Sequence, residues 1–280
     1  MKILVPVDFH KTSFSAYNYA LNLANDFGGE VILLHVINGA FNTNEDVSFD
    51  PIHSQREGAI KRLEYFAEEY AKEIGVDTPN LPSKKEVRFG IPGFTIADFA
   101  NSNDIDLVVM GTRDKHGIFD RLLGSASSVT IRLSKKPVLL IHKRNRYNTP
   151  AKIAFAFDAK SDLEEAVEDV KKLNTKLKAK LEFVHVNSQD GNEDLSSQMN
   201  DIVSELFEDG DPNFAFEIKS IRHGNMQESL KDYCLFEKVD MLTMMHRNEG
   251  LFKNLFRTNQ SIKMAQEFHL PVLVLHEDHD

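Results

Sequence analysis

Cysteine is almost missing from this chain of 280 residues, since Cys234 is the only one. A single cysteine cannot form an intrachain disulfide, and it cannot build a cysteine-rich zinc site. Long apolar runs are missing too, because no segment approaches the roughly 20 residues that span a membrane. The sequence begins with MKILVPVDF, whose apolar run is too short for a signal peptide and is followed too soon by a charged residue. A reduced, cytoplasmic location is therefore the expectation.

Basic residues are outnumbered by acidic ones, with 33 lysines and arginines against 43 aspartates and glutamates. The resulting formal net charge of -10 argues against broad binding to nucleic acid or to an anionic membrane, both of which require a basic face. An anionic ligand would have to be held by local donors against the field of the whole protein.

Familiar phosphate-binding and catalytic motifs are also missing. The sequence has no Gly-Lys-Ser/Thr loop and no GxGxxG turn. It shows no Ser-His-Asp order and no histidine pair at the spacing of a helical metal site, so we nominate no catalytic residue and no metal ligand. His35 and His185 favour structural hydrogen-bonding roles over catalytic ones.

A strand, a glycine turn, a polar loop and a helix start follow one another in residues 108–128, VVMGTRDKHGIFDRLLGSASS. The apolar strand breaks at Gly111, and Gly124 and Ser125 precede an amphipathic helix. Glycine lets the backbone approach a phosphate closely, and a helix start offers free N–H donors and a partial positive charge. This order predicts an anion site.

Apolar strands alternate with helices along the first half. Strands are predicted at 3–7, 31–37, 86–89, 107–110 and 137–141. Ser13 or Ser15 is the candidate cap of the first helix, which Gly28 ends, and a polar loop over 38–54 precedes a helix over 55–74. Continuous apolar strands alternating with helices indicate a parallel sheet covered on both faces.

The second half repeats the first. At an offset of 150, five residues recur: Lys2, Ile3, Asp8, His35 and Val36 match Lys152, Ile153, Asp158, His185 and Val186. Further on the offset is 134, with PVLLI at 137–141 matching PVLVL at 271–275, and one deletion in the 38–54 loop explains the change. The chain is therefore a tandem repeat, with domains assigned to 1–146 and 147–280 across a polar linker.

These residues resemble the universal stress protein family in its tandem-domain form. The first half opens with ILVPVDF, continues with LLHVI and VVMGT, and follows the family's nucleotide motif G-x2-G-x9-G-[ST]. Gly111, Gly124 and Ser125 fall on register in that motif, whereas the family's middle glycine is Asp114 here. The resemblance covers nearly the whole chain.

The resemblance implies an α/β fold: two tandem Rossmann-like domains, each a five-stranded parallel sheet of order 3-2-1-4-5 with helices on both faces. The strand order reverses between strands 1 and 4, and open parallel sheets bind ligands at that point, outside the carboxyl ends of the strands. By resemblance, ATP or a related adenine nucleotide would lie there. Adenine and ribose fall to Val7, Asp8 and Val36, and the phosphates to Gly111, Gly124, Ser125 and Ser127.

Each of these residues also has a plainer interpretation, which the sequence leaves open. Asp8 could cap the turn after the first strand, and the two glycines could serve turns alone. Ser125 and Ser127 could only cap their helix. Asp114 would repel a triphosphate unless a Mg²⁺ ion lay between them, because hard oxygen ligands suit that ion, or unless Arg113 or Lys115 neutralised it. Its plainer interpretation is a side chain in solvent that has no bearing on the ligand.

The second domain lacks the motif, because Met245, Thr258 and Asn259 stand where the first has Gly111, Gly124 and Ser125. Met245 adds bulk where a phosphate would approach the backbone, so we expect no nucleotide there. The leading hypothesis is a cytoplasmic stress-response protein that binds ATP in its first domain and regulates. The alternatives are a scaffold acting through protein contacts and, third, a weak ATPase. A homodimer and an unidentified protein partner stay open.

Overall fold

A computed structural model describes residues 1–38, 50–74, 83–112, 126–159, 162–187, 194–222, 226–246 and 270–276. The chain divides into two compact units, Met1–Tyr147 and Asn148–Asp280. The division falls inside the polar segment that the sequence marks as a linker. Within the described residues, no helix is long and apolar enough to cross a membrane.

The first unit alternates strands and helices around a parallel sheet. Its strands are β1 (Lys2–Pro6), β2 (Glu30–Ile37), β3 (Ser83–Phe89), β4 (Leu107–Thr112) and β5 (Val138–His142). Its helices are α1 (Lys11–Phe27), α2 (Asp50–Ile74), α3 (Pro92–Ser102) and α4 (Ala126–Leu133). The strand order is β3-β2-β1-β4-β5, and all four pairings are parallel.

Burial explains why these apolar runs form central strands. Ile3, Leu4 and Val5 of β1 have no exposed surface, as expected for a strand covered on both faces. Helix α1 ends as predicted at Gly28, whose φ of 68° is left-handed and whose N–H donates to the Ala24 carbonyl. Glycine adopts this conformation without the steric cost of a Cβ.

Three local predictions of the first unit are wrong. Helix α1 begins at Lys11 after an N-cap His10 that makes no side-chain cap bond, so Ser13 and Ser15 lie inside the helix. Helix α2 begins at Asp50, with Pro51 in the first turn, where proline is tolerated because it lacks an N–H. Strand β3 begins at Ser83, three residues before the predicted start. The prediction missed these residues because an edge strand accommodates charged side chains, which hide the apolar pattern of a strand.

The second unit has the same topology. Its strands are β6 (Lys152–Phe157), β7 (Lys180–Asn187), β8 (Phe216–Arg222), β9 (Met241–His246) and β10 (Val272–His276). Its described helices are α5 (Glu164–Leu177), α6 (Ser196–Phe207) and α7 (Met226–Phe236). Within this unit the order is β8-β7-β6-β9-β10, again with parallel pairings. The predicted tandem α/β fold with sheets of order 3-2-1-4-5 is confirmed.

Candidate functional site

The predicted ligand site lies at the carboxyl ends of β1 and β4, where the strand order of the first unit reverses. Strand β1 pairs with β2 on one side and with β4 on the other. The loop after β1 therefore leaves the sheet beside the loop after β4. Asp8 lies in the first of these loops with its side chain exposed, and Gly111 lies near the end of β4.

Asp8 organises the turn between β1 and α1. Its Oδ1 accepts a hydrogen bond from the His10 N–H at 3.1 Å and a short one from the Ser13 hydroxyl. The Asp8 N–H donates in turn to Ser13 Oγ at 3.1 Å. The bond from the His10 N–H, two residues along the chain, forms an Asx turn. Asp8 therefore caps the turn after β1.

Val7 offers little to a ligand, because its backbone groups are paired and its side chain is buried. Its N–H donates to the Leu34 carbonyl at 2.8 Å, and its carbonyl accepts from His35 Nδ1 at 2.7 Å. Its side chain is only 3% exposed. Val36 is half-buried on β2, opposite Arg88 of β3. Val36 is thus the more accessible of the two apolar positions predicted for the base.

A group of aromatic rings beside Asp8 escaped the sequence-based prediction. The Phe9 ring lies 4.6 Å from the His35 ring and 6.1 Å from the Phe66 ring, and the Arg62 guanidinium lies 4.0 Å above it. Phe9 also has a φ of 63°, which is unusual for a bulky residue. The ring contacts and the Asp8 turn together hold this strained residue in place.

Gly111 is required by packing. A Cβ built at this position would lie 2.3 Å from the Thr12 carbonyl oxygen and 2.5 Å from its carbonyl carbon. Such distances force backbone to move, because both atoms belong to the first turn of α1. Gly111 also pairs with Ile141 in the sheet. The glycine therefore lets the start of α1 approach β4 closely, a third role besides the ligand and turn roles predicted for it.

Ser127 lies in the first turn of α4 and is 8% exposed. Its helix packs closely on α3, because a Cβ at Gly93 would lie 2.5 Å from Val129 Cβ and 2.9 Å from the Ala126 carbonyl oxygen. The other predicted phosphate contacts, Gly124 and Ser125, lie outside the described residues, as does Asp114.

The matching crevice of the second unit is built differently. Met245, which stands for Gly111, is 1% exposed. Asp158, which stands for Asp8, is 2% exposed, whereas Asp8 is exposed. Helix α5 begins at Glu164, three residues later than the repeat offset of 150 places the start of α1. Thr258 and Asn259 lie outside the described residues.

The two matching histidines make structural contacts. His35 holds the Val7 carbonyl, as described above. His185 is 1% exposed, its Nδ1 lies 3.2 Å from Ser220 Oγ, and its ring lies 5.5 Å from that of Phe157. Both rings tie neighbouring strand segments together.

A buried carboxylate lies at the other end of the second sheet, near the amino ends of its strands. Glu182 of β7 has no exposed side-chain surface, and its Oε2 accepts from the Tyr233 hydroxyl at 2.7 Å. Its Oε1 contacts three lysine Nζ atoms, those of Lys152 at 3.3 Å, Lys180 at 3.1 Å and Lys219 at 3.1 Å. We call these five residues the Glu182 cluster.

Ionisation is strongly shifted in this cluster. Burial alone would raise the pKa of Glu182, but hydrogen bonds from Tyr233 and the three lysines outweigh burial and lower it to about 2. Burial and the Glu182 carboxylate raise the pKa of the Tyr233 hydroxyl. Burial, with the same carboxylate, raises the pKa of the Cys234 thiol to about 12, so this thiol stays protonated and unreactive at neutral pH.

The described part of the first crevice contains polar and apolar groups. It combines an exposed carboxylate at Asp8, a half-buried apolar residue at Val36 and hydroxyls in the first turn of α4. Across the described ranges, no group of three or more His, Cys, Asp or Glu residues could hold a metal ion. These groups can offer a ligand a carboxylate acceptor and an apolar contact.

Comparisons with known proteins agree with this fold. The family model of the Universal stress protein family matches residues 1–142. Universal stress protein MJ0531 of Methanocaldococcus jannaschii is 30% identical over 149 residues, which are 51% of this chain and 82% of that protein. Universal stress protein MJ0577 of the same organism is 30% identical over 157 residues, which are 51% of this chain and 96% of that protein.

A solved structure extends the likeness to both units. The crystal structure of a universal stress protein from Archaeoglobus fulgidus covers 100% of this chain and 97% of its own, with a TM-score of 0.71 and 20% identity. At that identity the likeness concerns the fold alone. Because the family model matches half of the chain and two relatives are matched over most of their length, this chain belongs to the universal stress protein family.

Proposed function

We propose that this chain is a cytoplasmic stress-response protein that binds ATP or a related adenine nucleotide in its first unit and acts as a regulator. The observation that carries the proposal is the meeting of two features at one switch point. The exposed Asp8 follows β1, and the nucleotide motif of the family begins at Gly111 on the neighbouring β4. Open parallel sheets bind their ligands at this place.

The residues of the crevice divide the ligand between them. The Asp8 carboxylate would accept from ribose hydroxyls, and Val36 would contact the base. Ser127 and the backbone at the start of α4 would donate to the phosphates, together with Gly124 and Ser125 by resemblance to the family. Each hydrogen bond to a charged group contributes roughly 1.5–3 kcal/mol. We assign no general base or nucleophile, so the proposed function is binding rather than turnover.

Two substitutions at Asp8 separate ligand binding from turn capping. Asp8→Asn keeps an oxygen that can accept from His10 and Ser13, whereas Asp8→Ala removes it. If the carboxylate binds ribose, both variants should bind labelled ATP about 10- to 100-fold more weakly than the wild type. Asp158→Asn in the second unit is the matched control and should leave affinity unchanged. Wild-type affinity in Asp8→Asn would reduce Asp8 to a turn residue.

Asp114 gives a second test. A carboxylate about 4 Å from a phosphate costs about 4 kcal/mol at an effective dielectric near 20. Mg²⁺ bound between them would reverse the sign of that interaction. We expect ATP to bind weakly alone and more tightly with Mg²⁺, and Asp114→Gly to tighten the metal-free complex. Calorimetric titrations of ATP into the wild type and into Asp114→Gly, each with and without Mg²⁺, measure these affinities. Equal affinities in all four titrations would contradict the charge argument.

A scaffold without nucleotide is the second candidate, and two observations favour it. The Asp8 carboxylate already holds the turn before α1, and Gly111 already admits the Thr12 backbone. Both residues would therefore persist in a protein that binds nothing in this crevice. Nucleotide that copurifies with the protein would support the first proposal, whereas wild-type protein that does not bind labelled ATP would favour the scaffold.

A further inference from the structure

Strand β8 forms one edge of the sheet in the second unit. The strand order of the unit ends at β8, and the described residues place no strand beyond it. Phe216, Ile218 and Ser220 alternate on the face of β8 that α6 covers, since the Phe216 ring lies 6.0 Å from that of Phe207. Phe216 and Ile218 are half-buried there. An apolar edge of this kind can pair with another strand.

Helix α6 extends this apolar surface beside the edge. Gln198, Ile202 and Leu206 form its buried side. The residue after each of them is apolar and exposed: Met199 by 46%, Val203 by 44% and Phe207 by 47%. We call Met199, Val203, Phe207, Phe216 and Ile218 the β8–α6 surface.

The first unit has charged residues at the positions that correspond to the β8–α6 surface. Lys85 of β3 pairs with Leu33, the fourth residue of β2, as Ile218 pairs with Phe183, the fourth residue of β7. In α2 the residues that follow the buried Leu63 and Ala67 are the exposed Glu64 and Glu68. Charged residues are the usual protection of a sheet edge, and at the third residue of the edge strand, on the face that the helix covers, only the first unit has one, Lys85. On its other face β8 carries Glu217 and Lys219.

We propose that the β8–α6 surface is the interface of a symmetric homodimer, in which β8 pairs antiparallel with β8 of a second copy of the chain. The charges of β8 are self-complementary in one register. Centred on Ile218, the pairing places Glu217 opposite Lys219 of the second copy, twice, and Ile218 opposite itself. Centred one residue to either side, it would place Glu217 opposite Glu217 or Lys219 opposite Lys219. Opposite charges on facing residues stabilise antiparallel pairs, and like charges destabilise them.

This symmetry also brings the exposed helix stripes together. Residues directly opposite in an antiparallel pair point to the same face, so the twofold axis runs perpendicular to the sheet. The two α6 helices then lie on one face of the joined sheet, on either side of the axis. Met199, Val203 and Phe207 would be covered by their copies. The interface is isologous, as in most homodimers.

Sedimentation velocity over a range of concentrations tests the proposal. The wild type should show a monomer–dimer equilibrium. Ile218→Lys places two lysines opposite each other, and Val203→Glu gives α6 the residue type of Glu64 in α2. Each should weaken dimerisation roughly tenfold or more, because like-charge contacts in an interface cost several kcal/mol. Circular dichroism melting confirms that each variant folds, and Tyr65→Glu on α2 is the control that should dimerise as the wild type does.

A mixing experiment tests the register. Ile218→Lys and Ile218→Glu should each be monomeric, whereas an equimolar mixture should form heterodimers, because the new lysine then faces the new glutamate. A wild type that is monomeric at all concentrations would overturn the proposal. So would a dimer that persists in both Ile218→Lys and Val203→Glu, since its interface must then lie elsewhere. A mixture that stays monomeric would overturn the pairing of Ile218 with itself.

Discussion

Gly111 and Met245 occupy the same place in two copies of one fold, and the chain is packed around them differently. In the first unit α1 begins at Lys11, and the Thr12 backbone lies against Gly111. In the second unit α5 begins three residues later in the repeat, and the Met245 side chain is buried. A glycine of a nucleotide motif can thus be needed for a helix start. Its presence alone is therefore weak evidence for a ligand.

A second difference lies at the amino ends of the strands. Glu182 and Tyr233 of the second unit take the places of Ile32 and Phe99 in the first. Ile32 is 6% exposed and Phe99 is also buried, so the first unit fills this position with hydrocarbon. The fold therefore accepts either an apolar pair or an ionic cluster here. The two solutions differ in how they respond to mutation and to pH.

The largest effect is expected when the central charge of the ionic cluster is removed. Glu182→Gln leaves three lysines without the buried carboxylate, and breaking a buried ion pair in this way costs about 3–5 kcal/mol. Urea unfolding followed by hydrogen exchange of β7 peptides should show the loss in the second unit alone. A variant within about 1 kcal/mol of the wild type would contradict this.

The first unit supplies the control for that experiment. The double variant Glu182→Ile with Tyr233→Phe recreates the pair of Ile32 and Phe99. A well-packed apolar replacement of a buried ionic group is often neutral. The lysines are 22–33% exposed and can turn to water. The double variant should therefore be more stable than Glu182→Gln.

The next effect is acid sensitivity. The pKa of Glu182 is lowered from 4.5 to about 2 in the folded state. Its stabilisation is therefore complete above pH 4.5 and is lost as the pH falls toward 2, in total on the order of 3 kcal/mol. Urea midpoints of the second unit at about pH 5 and about pH 3 should differ more in the wild type than in Glu182→Gln. Equal differences would show that other carboxylates set the acid response.

A somewhat smaller effect is expected at the compared glycine. Gly111→Met should destabilise the first unit by roughly 2–3 kcal/mol, because its Cβ would overlap the Thr12 backbone and overpacking costs are of that size. Exchange of α1 amides should rise most. Any loss of ATP binding in this variant would then reflect folding, which is why Asp8→Asn is the better probe of the ligand. Unchanged α1 exchange would contradict the packing role.

The smallest effect concerns two equivalent helix ends. Gly28 ends α1 with a φ of 68°, whereas Lys178 ends α5 with a φ of 54°. A residue with a Cβ is strained in this region, so Lys178→Gly should stabilise the second unit by about 1 kcal/mol or less. Gly28→Lys should instead destabilise the first unit. Thermal melts of the two variants measure both, and a loss of stability in Lys178→Gly would refute the strain.

Local signals were enough to predict much of this fold. Apolar runs such as ILV in β1 and PVLLI around β5 marked central strands, and Gly28 marked a helix end. The repeat of Lys2, Asp8 and His35 at an offset of 150 predicted the second sheet. The strand order came from resemblance to a family, because alternation of elements does not determine it.

Features that depend on distant residues could not be predicted. Gly111 meets Thr12, and Glu182 meets lysines from three strands, only once the register of the sheet is known. One sequence feature could have indicated the cluster, because Glu182 is a carboxylate within the largely apolar strand segment LEFVHV. His10 rather than Ser13 is the N-cap of α1, and Ser13 bonds to Asp8 from inside the helix. Two predicted phosphate contacts and Asp114 stay predictions.

The close contact between Thr12 and Gly111 also limits how the two halves could diverge. Replacing Gly111 by methionine would displace the first turn of α1. Replacing the buried Met245 by glycine would leave a cavity that costs about 2–5 kcal/mol. Each arrangement is stable only when helix start and strand residue change together. A half with Met245 and a later helix start therefore cannot be converted by one substitution into a half with Gly111 and an earlier start. We therefore expect each half to keep its own arrangement under single substitutions.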